Sequence, residues 1–143
     1  MRLSLTIGGA PVPKGRPRFA RIGGFAKAYT PKATRDYEKK VAQCVSEAMA
    51  LQYVREPFLG ALKVRIDTYF PIPKSASKRD REEMEQGIIP MLGRKDIDNI
   101  AKALLDAMNG IAYNDDGQVV DLHITKAYSV LARVEISITE ILA

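Results

Sequence analysis

The sequence predicts an α+β fold: a small domain in which helices pack on a mixed or antiparallel sheet. Three observations lead there. Apolar and polar residues alternate strictly from Leu62 to Phe70, two other stretches (31–51 and 97–108) carry apolar residues at helical spacing, and segments of strand character lie near both ends of the chain. A period of two places alternate side chains on one sheet face, whereas a period near 3.6 paints a stripe on a helix. Elements mixed in the order β-(β)-α-β-α-α-β-β, rather than in regular βα repeats, indicate α+β. The 143 residues are read as one domain over 1–143, a length that buries about two thirds of the unfolded surface.

Leu3, Leu5 and Ile7 alternate with polar residues, so residues 2–8 form a strand that Gly8-Gly9 ends. Pro11 to Arg21 then carries three prolines and four cations, giving a basic loop stiffened by its rings. Gly23-Gly24 is a turn, and Phe25 to Tyr29 is a short return strand. Thr30-Pro31 supplies a hydroxyl cap followed by proline at the first helical position. Tyr37, Val41, Cys44, Val45, Ala48 and Met49 then mark a helix near 31–51. The strand over Leu62–Phe70 ends at Pro71 and Pro73, and Ser75 or Ser77 caps a short polar helix within 75–86. Ile97, Ile100, Ala101, Leu104, Leu105 and Met108 define a further helix, stopped by Asn109-Gly110. Asp115-Asp116-Gly117 is a turn, and Val119–Tyr128 with Val130–Ile141 reads as a terminal hairpin.

Composition excludes several classes. One cysteine and one histidine rule out an internal disulfide, a multi-thiolate site and a paired-histidine mechanism. No apolar run approaches the roughly 20 residues that span a bilayer, so no membrane association is expected and the cytoplasm is the expected compartment. The charge is unevenly placed. Arg2, Lys14, Arg16, Arg18, Arg21, Lys27, Lys32 and Arg35 all precede the first acid, Asp36, putting +8 on 35 residues against +5 for the whole chain. Such asymmetry suggests a polyanion held by the N-terminal part, with a solubilising surface as the alternative. Lys14, Arg16, Arg18, Arg21 and Lys27 are the candidate contacts, with Lys74, Lys78, Arg79 and Arg81 as a second basic surface. Phe19, Phe25 and Tyr29 are assigned to core packing, stacking on unpaired bases being the other reading.

The chemistry concentrates in Asp96, Asp98, Asp106, Asp115, Asp116 and Asp121. Asp98, Lys102 and Asp106 stand at i, i+4 and i+8, so they share a ridge opposite the apolar stripe. Each acid alone also fits a plain role: a helix cap, a surface ion pair with Lys102, or a turn. A helix needs one cap, however, and acids are in surplus here. Two carboxylates about 4 Å apart repel by roughly 4 kcal/mol at an effective dielectric near 20, so their convergence would call for a cation. Oxygen donors without histidine or cysteine suit Mg2+, with Mn2+ able to substitute. Cations beside a carboxylate–metal site suggest phosphoryl chemistry on DNA, with Lys102 stabilising transition-state charge.

The stretch Asp96-Ile97-Asp98-Asn99-Ile100-Ala101-Lys102, then Asp106-Ala107 and Asp115-Asp116-Gly117-Gln118-Val119, resembles the RusA family of Holliday junction resolvases. So do Pro13-Lys14-Gly15-Arg16-Pro17-Arg18-Phe19, Ala28-Tyr29-Thr30-Pro31 and Phe70-Pro71-Ile72-Pro73-Lys74. The resemblance covers roughly residues 3 to 140. It implies a homodimeric, Mg2+-dependent endonuclease that binds four-way junction DNA and makes paired symmetric nicks, in recombination and repair in bacteria and their prophages. It places catalytic and metal-binding acids at Asp96, Asp98 and Asp116, or Asp115 if the turn is displaced by one residue, and the catalytic lysine at Lys102. A less selective branched-DNA or flap nuclease, and a non-catalytic DNA-binding module, remain as alternatives.

Overall fold

A computed structural model describes residues 1–93 and 95–141. The elements run β1 (Arg2–Gly8), β2 (Arg18–Ile22), β3 (Phe25–Tyr29), α1 (Lys32–Leu51), β4 (Leu62–Pro71), α2 (Lys78–Glu85), α3 (Ile97–Met108), a 3₁₀ turn (Asp116–Gln118), β5 (Val119–Ser129) and β6 (Arg133–Glu140). Four strands form one mixed sheet in the order β1-β6-β4-β5, while β2 and β3 form a separate hairpin. The α+β expectation holds, with the sheet mixed rather than purely antiparallel.

The alternation of β4 translates directly into burial. Leu62, Val64, Ile66 and Phe70 are buried with Thr68, while Lys63 and Arg65 face outward. Val134, Ile136 and Ile138 of β6 and Leu3 and Ile7 of β1 continue the same inner face. Tyr37, Val41 and Val45 of α1 and Ile100, Leu104 and Met108 of α3 cover it, making one continuous core. Removing a large side chain here, such as that of Leu104, is a cavity-forming change costing about 2–5 kcal/mol. The sheet's other face is polar. On it, Arg65 and Thr125 donate to the Asp67 carboxylate at 3.0 and 2.7 Å. Partial burial opposes charge on Asp67, but these two donors outweigh it and hold its carboxyl below the usual carboxylate range.

Three local expectations change. The terminal hairpin is not formed: β5 pairs with β4 in parallel, β6 pairs with β4 antiparallel, and β4 lies between them. β4 has a fully buried inner face along its length, which suits the centre of the sheet, whereas the more exposed β5 takes an edge. At α1 the helical ladder begins from the Pro31 carbonyl, which accepts from Arg35 N at 3.1 Å, so Pro31 rather than Thr30 is the cap residue and no side chain caps it. Finally, Phe19, Phe25 and Tyr29 are not core residues; they are 74%, 79% and 45% exposed on the hairpin. Their strands pack chiefly on each other, so the core never reaches them. The polar helix is capped by Ser77, whose hydroxyl accepts from Asp80 N at 3.1 Å.

The strand order has a direct chemical test. In a Cys44→Ala background, cysteines at positions 65 and 123, which are paired across β4 and β5, should form a disulfide on mild oxidation. Cysteines at 125 and 137, neighbours in a terminal hairpin, should not, because two strand spacings of about 4.8 Å exceed the roughly 7 Å Cα limit. The reverse pattern on a non-reducing gel would overturn the topology.

Candidate active site

Helix α3 carries the first group of acids. Its buried stripe of Ile100, Ala101, Leu104, Ala107 and Met108 turns Asp98 and Lys102 outward. Asp96 takes the cap position with φ −69° and ψ 129°, yet its side chain makes no capping hydrogen bond. Its backbone carbonyl accepts from Ile100 N at 3.1 Å, so it starts the ladder through main chain alone. Before Asp96, Lys126 of β5 donates from its Nζ to the carbonyls of Gly93 and Lys95 at 3.3 and 2.9 Å. A lysine on the inner side of an edge strand thus fixes the entry to the acidic helix.

Of the two i, i+4 pairs that the ridge allows, one forms. Lys102 Nζ lies 3.6 Å from Asp106, not beside Asp98, and its side chain is 62% exposed. Asp106 also receives Lys14 Nζ at 3.3 Å, and the same Nζ lies 2.5 Å from Glu38 of α1. The main chain joins in: Lys14 N donates to the Asn99 carbonyl at 2.9 Å, and Gly15 N donates to Thr34 Oγ1 at 3.0 Å. A Cβ at Gly15 would meet Thr34 Oγ1 at 2.9 Å and Pro31 at 3.0 Å, so only glycine allows this approach. Burial works against the charge on Lys14, but Glu38 and Asp106 outweigh it and raise its pKa above the ordinary lysine value. Lys14, a candidate polyanion contact by sequence, is therefore turned into the protein, where it bridges α1 and α3. Arg16, Arg18, Arg21 and Lys27 are exposed.

The second group of acids sits on the turn before β5. Tyr113 is fully buried and its hydroxyl donates to the Leu105 carbonyl at 2.7 Å, pinning the turn to α3. Burial raises the Tyr113 pKa, and the negative charges of Asp116, Asp106 and Asp115 raise it further. Gln118 is the second pin. Its Oε1 accepts from Asn114 N and Asp115 N at 2.8 and 3.1 Å, and its Nε2 donates to the Phe58 and Gly60 carbonyls at 2.8 and 3.0 Å. Asp115 accepts from Gly117 N at 2.9 Å, completing a capping box with Gln118. Asp115 is thus engaged in shaping the turn, whereas half-buried Asp116 enters no ion pair among the described residues. The Asp115-x-x-Gln118 spacing carries that box in the sequence itself; the reach of Gln118 to residues 58 and 60, and of Lys126 to residues 93 and 95, has no local signal.

Asp96, Asp98 and Asp116 offer hard oxygen donors, the chemistry that Mg2+ or Mn2+ takes. They are not gathered: among the described residues no three acidic, histidine or cysteine side chains converge to ligate a metal. Carboxylates without a counter-ion repel, and standing apart is the lower-energy arrangement for them. The donor set fits a divalent cation in chemistry, and the three side chains would have to move together to hold one. Asp96 and Asp98 also lie on open surface, with Asp116 half-buried. A cleft of about 710 Å³ lined by Met49, Tyr53, Val54, Arg55, Gly110 and Ile111 carries none of them. An open platform admits a polymer that a closed pocket would exclude.

Two comparisons place this arrangement among known proteins. The family described as Endodeoxyribonuclease RusA matches residues 8–139. An uncharacterized protein of Bacillus subtilis (strain 168), YqaN, is 35% identical over 144 residues, covering 99% of this chain and 98% of that one. A match that runs from the end of β1 to β6, through both acidic groups and the basic loop, shows that the chain belongs to the RusA endodeoxyribonuclease family.

Proposed function

We propose that the protein is a divalent-metal-dependent endonuclease that resolves four-way DNA junctions by paired symmetric nicks, working as a homodimer in DNA recombination and repair. The observation that carries the reading is the pairing of opposites at α3. The basic loop is bonded through Lys14 N to Asn99, the residue next to Asp98, while Asp96 makes no capping bond with its carboxylate. A phosphate backbone drawn in by Arg16, Arg18, Arg21 and Lys27 would therefore arrive beside uncommitted acids.

Asp96, Asp98 and Asp116 would hold the cation, Mg2+ with Mn2+ as substitute. When bound, such an ion would acidify an attacking water and offset charge on the scissile phosphate. The other roles belong to the chain. Lys102, exposed and only loosely paired with Asp106, can swing to the phosphate and stabilise the charge that grows on the departing oxygen. Asp106 positions it, because one carboxylate shared by Lys14 and Lys102 ties the mobile lysine to the fixed one. Tyr113 and Gln118 hold the Asp116 turn against α3 and the 58–60 segment.

Asp96→Asn, Asp98→Asn and Asp116→Asn should each lower cleavage of a mobile four-way junction by more than about 100-fold, while binding it at least as tightly as the wild type, since each removes a negative charge. Gel-shift and single-turnover cleavage with Mg2+ and Mn2+ check this; variants that lose binding with their fold intact would make the acids structural. Lys102→Ala should slow the cut by about 10²–10³-fold with binding little changed, and an unaltered rate would reduce Lys102 to a surface ion pair. Equal cleavage of the junction, a flap and a plain duplex would replace junction resolution with a less selective nuclease. No metal-dependent cleavage of any of the three would leave a DNA-binding module.

A further inference from the structure

The β2–β3 hairpin is built in a way that neither the core nor the acidic site explains. Its two strands turn through Gly23 and Gly24, both at positive φ (60° and 83°), the geometry of the tight turn that matches strand twist. The closing pair is Ile22 opposite Phe25, 61% and 79% exposed. Lys27 lies on the same face, paired with Ala20, while Arg21 and Phe19 lie on the opposite face. Two large apolar side chains thus stand at the tip of an arm whose stem is cationic on both sides. Isolated two-stranded hairpins are marginal in water, and exposing apolar groups at the tip makes this one costlier still. Such a tip is stabilised when something covers it.

The charge around the tip names the chemistry of that cover. No acidic residue occurs before Asp36, and Arg16, Arg18, Arg21, Lys27, Lys32 and Arg35 line the stem and its base. A cover that is both polyanionic and apolar-faced is a nucleic acid whose bases are open to stacking. We infer that the Ile22–Phe25 tip is a wedge that stacks on unpaired bases at the branch point of the DNA substrate. This rests on the reading of the protein as a branched-DNA endonuclease and adds to it a source of structure selectivity: duplex bases stack on each other and leave no face for Phe25. The root of the arm is fixed. Gly15 is bonded to Thr34, and Lys14 to Asn99 on the acidic helix. Five-residue strands then carry the tip about 13 Å beyond the Arg18–Tyr29 pair at the foot of the arm, so a base captured there sets where the neighbouring backbone meets Asp96 and Asp98.

The test measures binding without divalent metal, on a four-way junction and on a duplex of the same arms, with 2-aminopurine at the branch point. Phe25→Ala should lose about 5- to 150-fold in junction affinity, the equivalent of one stacked base, less than about 2-fold on duplex, and the rise in 2-aminopurine fluorescence that the wild type gives. Phe25→Trp should keep all three. Arg21→Ala should weaken both substrates alike. Unchanged thermal melting of each variant is expected, because the tip is outside the core. Equal loss on junction and duplex, no loss on either, or a fall in oligomeric mass with no fluorescence change would each overturn the wedge, the last by assigning the tip to a second copy of the chain. Wild-type cleavage in Mg2+, assayed in parallel, reports on the endonuclease reading separately.

Discussion

Lys14 is the residue on which the working surface depends. Its main-chain N–H is bonded to the first turn of α3, and its ammonium lies between carboxylates of α1 and α3. A basic loop and an acidic helix would attract one another in any case, but attraction alone fixes no geometry. A partly buried cation shared by two acids does, because leaving either carboxylate unpaired at a packed seam would cost more than the exposed pair could return. The same lysine neutralises Asp106, so the acids left uncommitted are those nearer the start of α3 and on the turn. One side chain thereby joins two helices and divides the carboxylates into structural and available ones.

The second constraint is backbone economy around the acidic turn. Tyr113 and Gln118 together bond to Leu105, Asn114, Asp115, Phe58 and Gly60, so a ten-residue excursion after α3 is ordered without regular secondary structure of any length. Each bond adds on the order of 1 kcal/mol net, and a partner left bare would cost more. Asp116 stands on this scaffold as its one half-buried acid without an ion pair among the described residues.

How much of this was legible follows from the range of each interaction. The alternation of Leu62–Phe70 and the stripe of α3 report burial on a fixed face, so β4 and α3 could be read directly from residue order. Strand partnership could not: Val119–Ser129 has the same local pattern whether its neighbour is β6 or β4, and only competition for the central position decides. The aromatic residues of the hairpin misled for a related reason. Phe19, Phe25 and Tyr29 have core composition, and nothing in their immediate sequence reveals that both sides of the arm meet solvent. The acids were visible as a surplus, and the family resemblance assigned their roles. Spacing offered Lys102 both Asp98 and Asp106 without choosing between them, and gave no sign that Lys14 faces inward or that Lys126 reaches the loop before Asp96.

The register of the sheet has a consequence for how the molecule comes into being. Among the described residues β1 is hydrogen-bonded to β6 alone, with Arg2 opposite Thr139 and Ile7 opposite Val134, so the sheet is completed by joining segments far apart in the chain. Neither strand can close the apolar layer without the other, and such distant pairing costs loop entropy before any contact offsets it. Maturation is therefore a late, collective event.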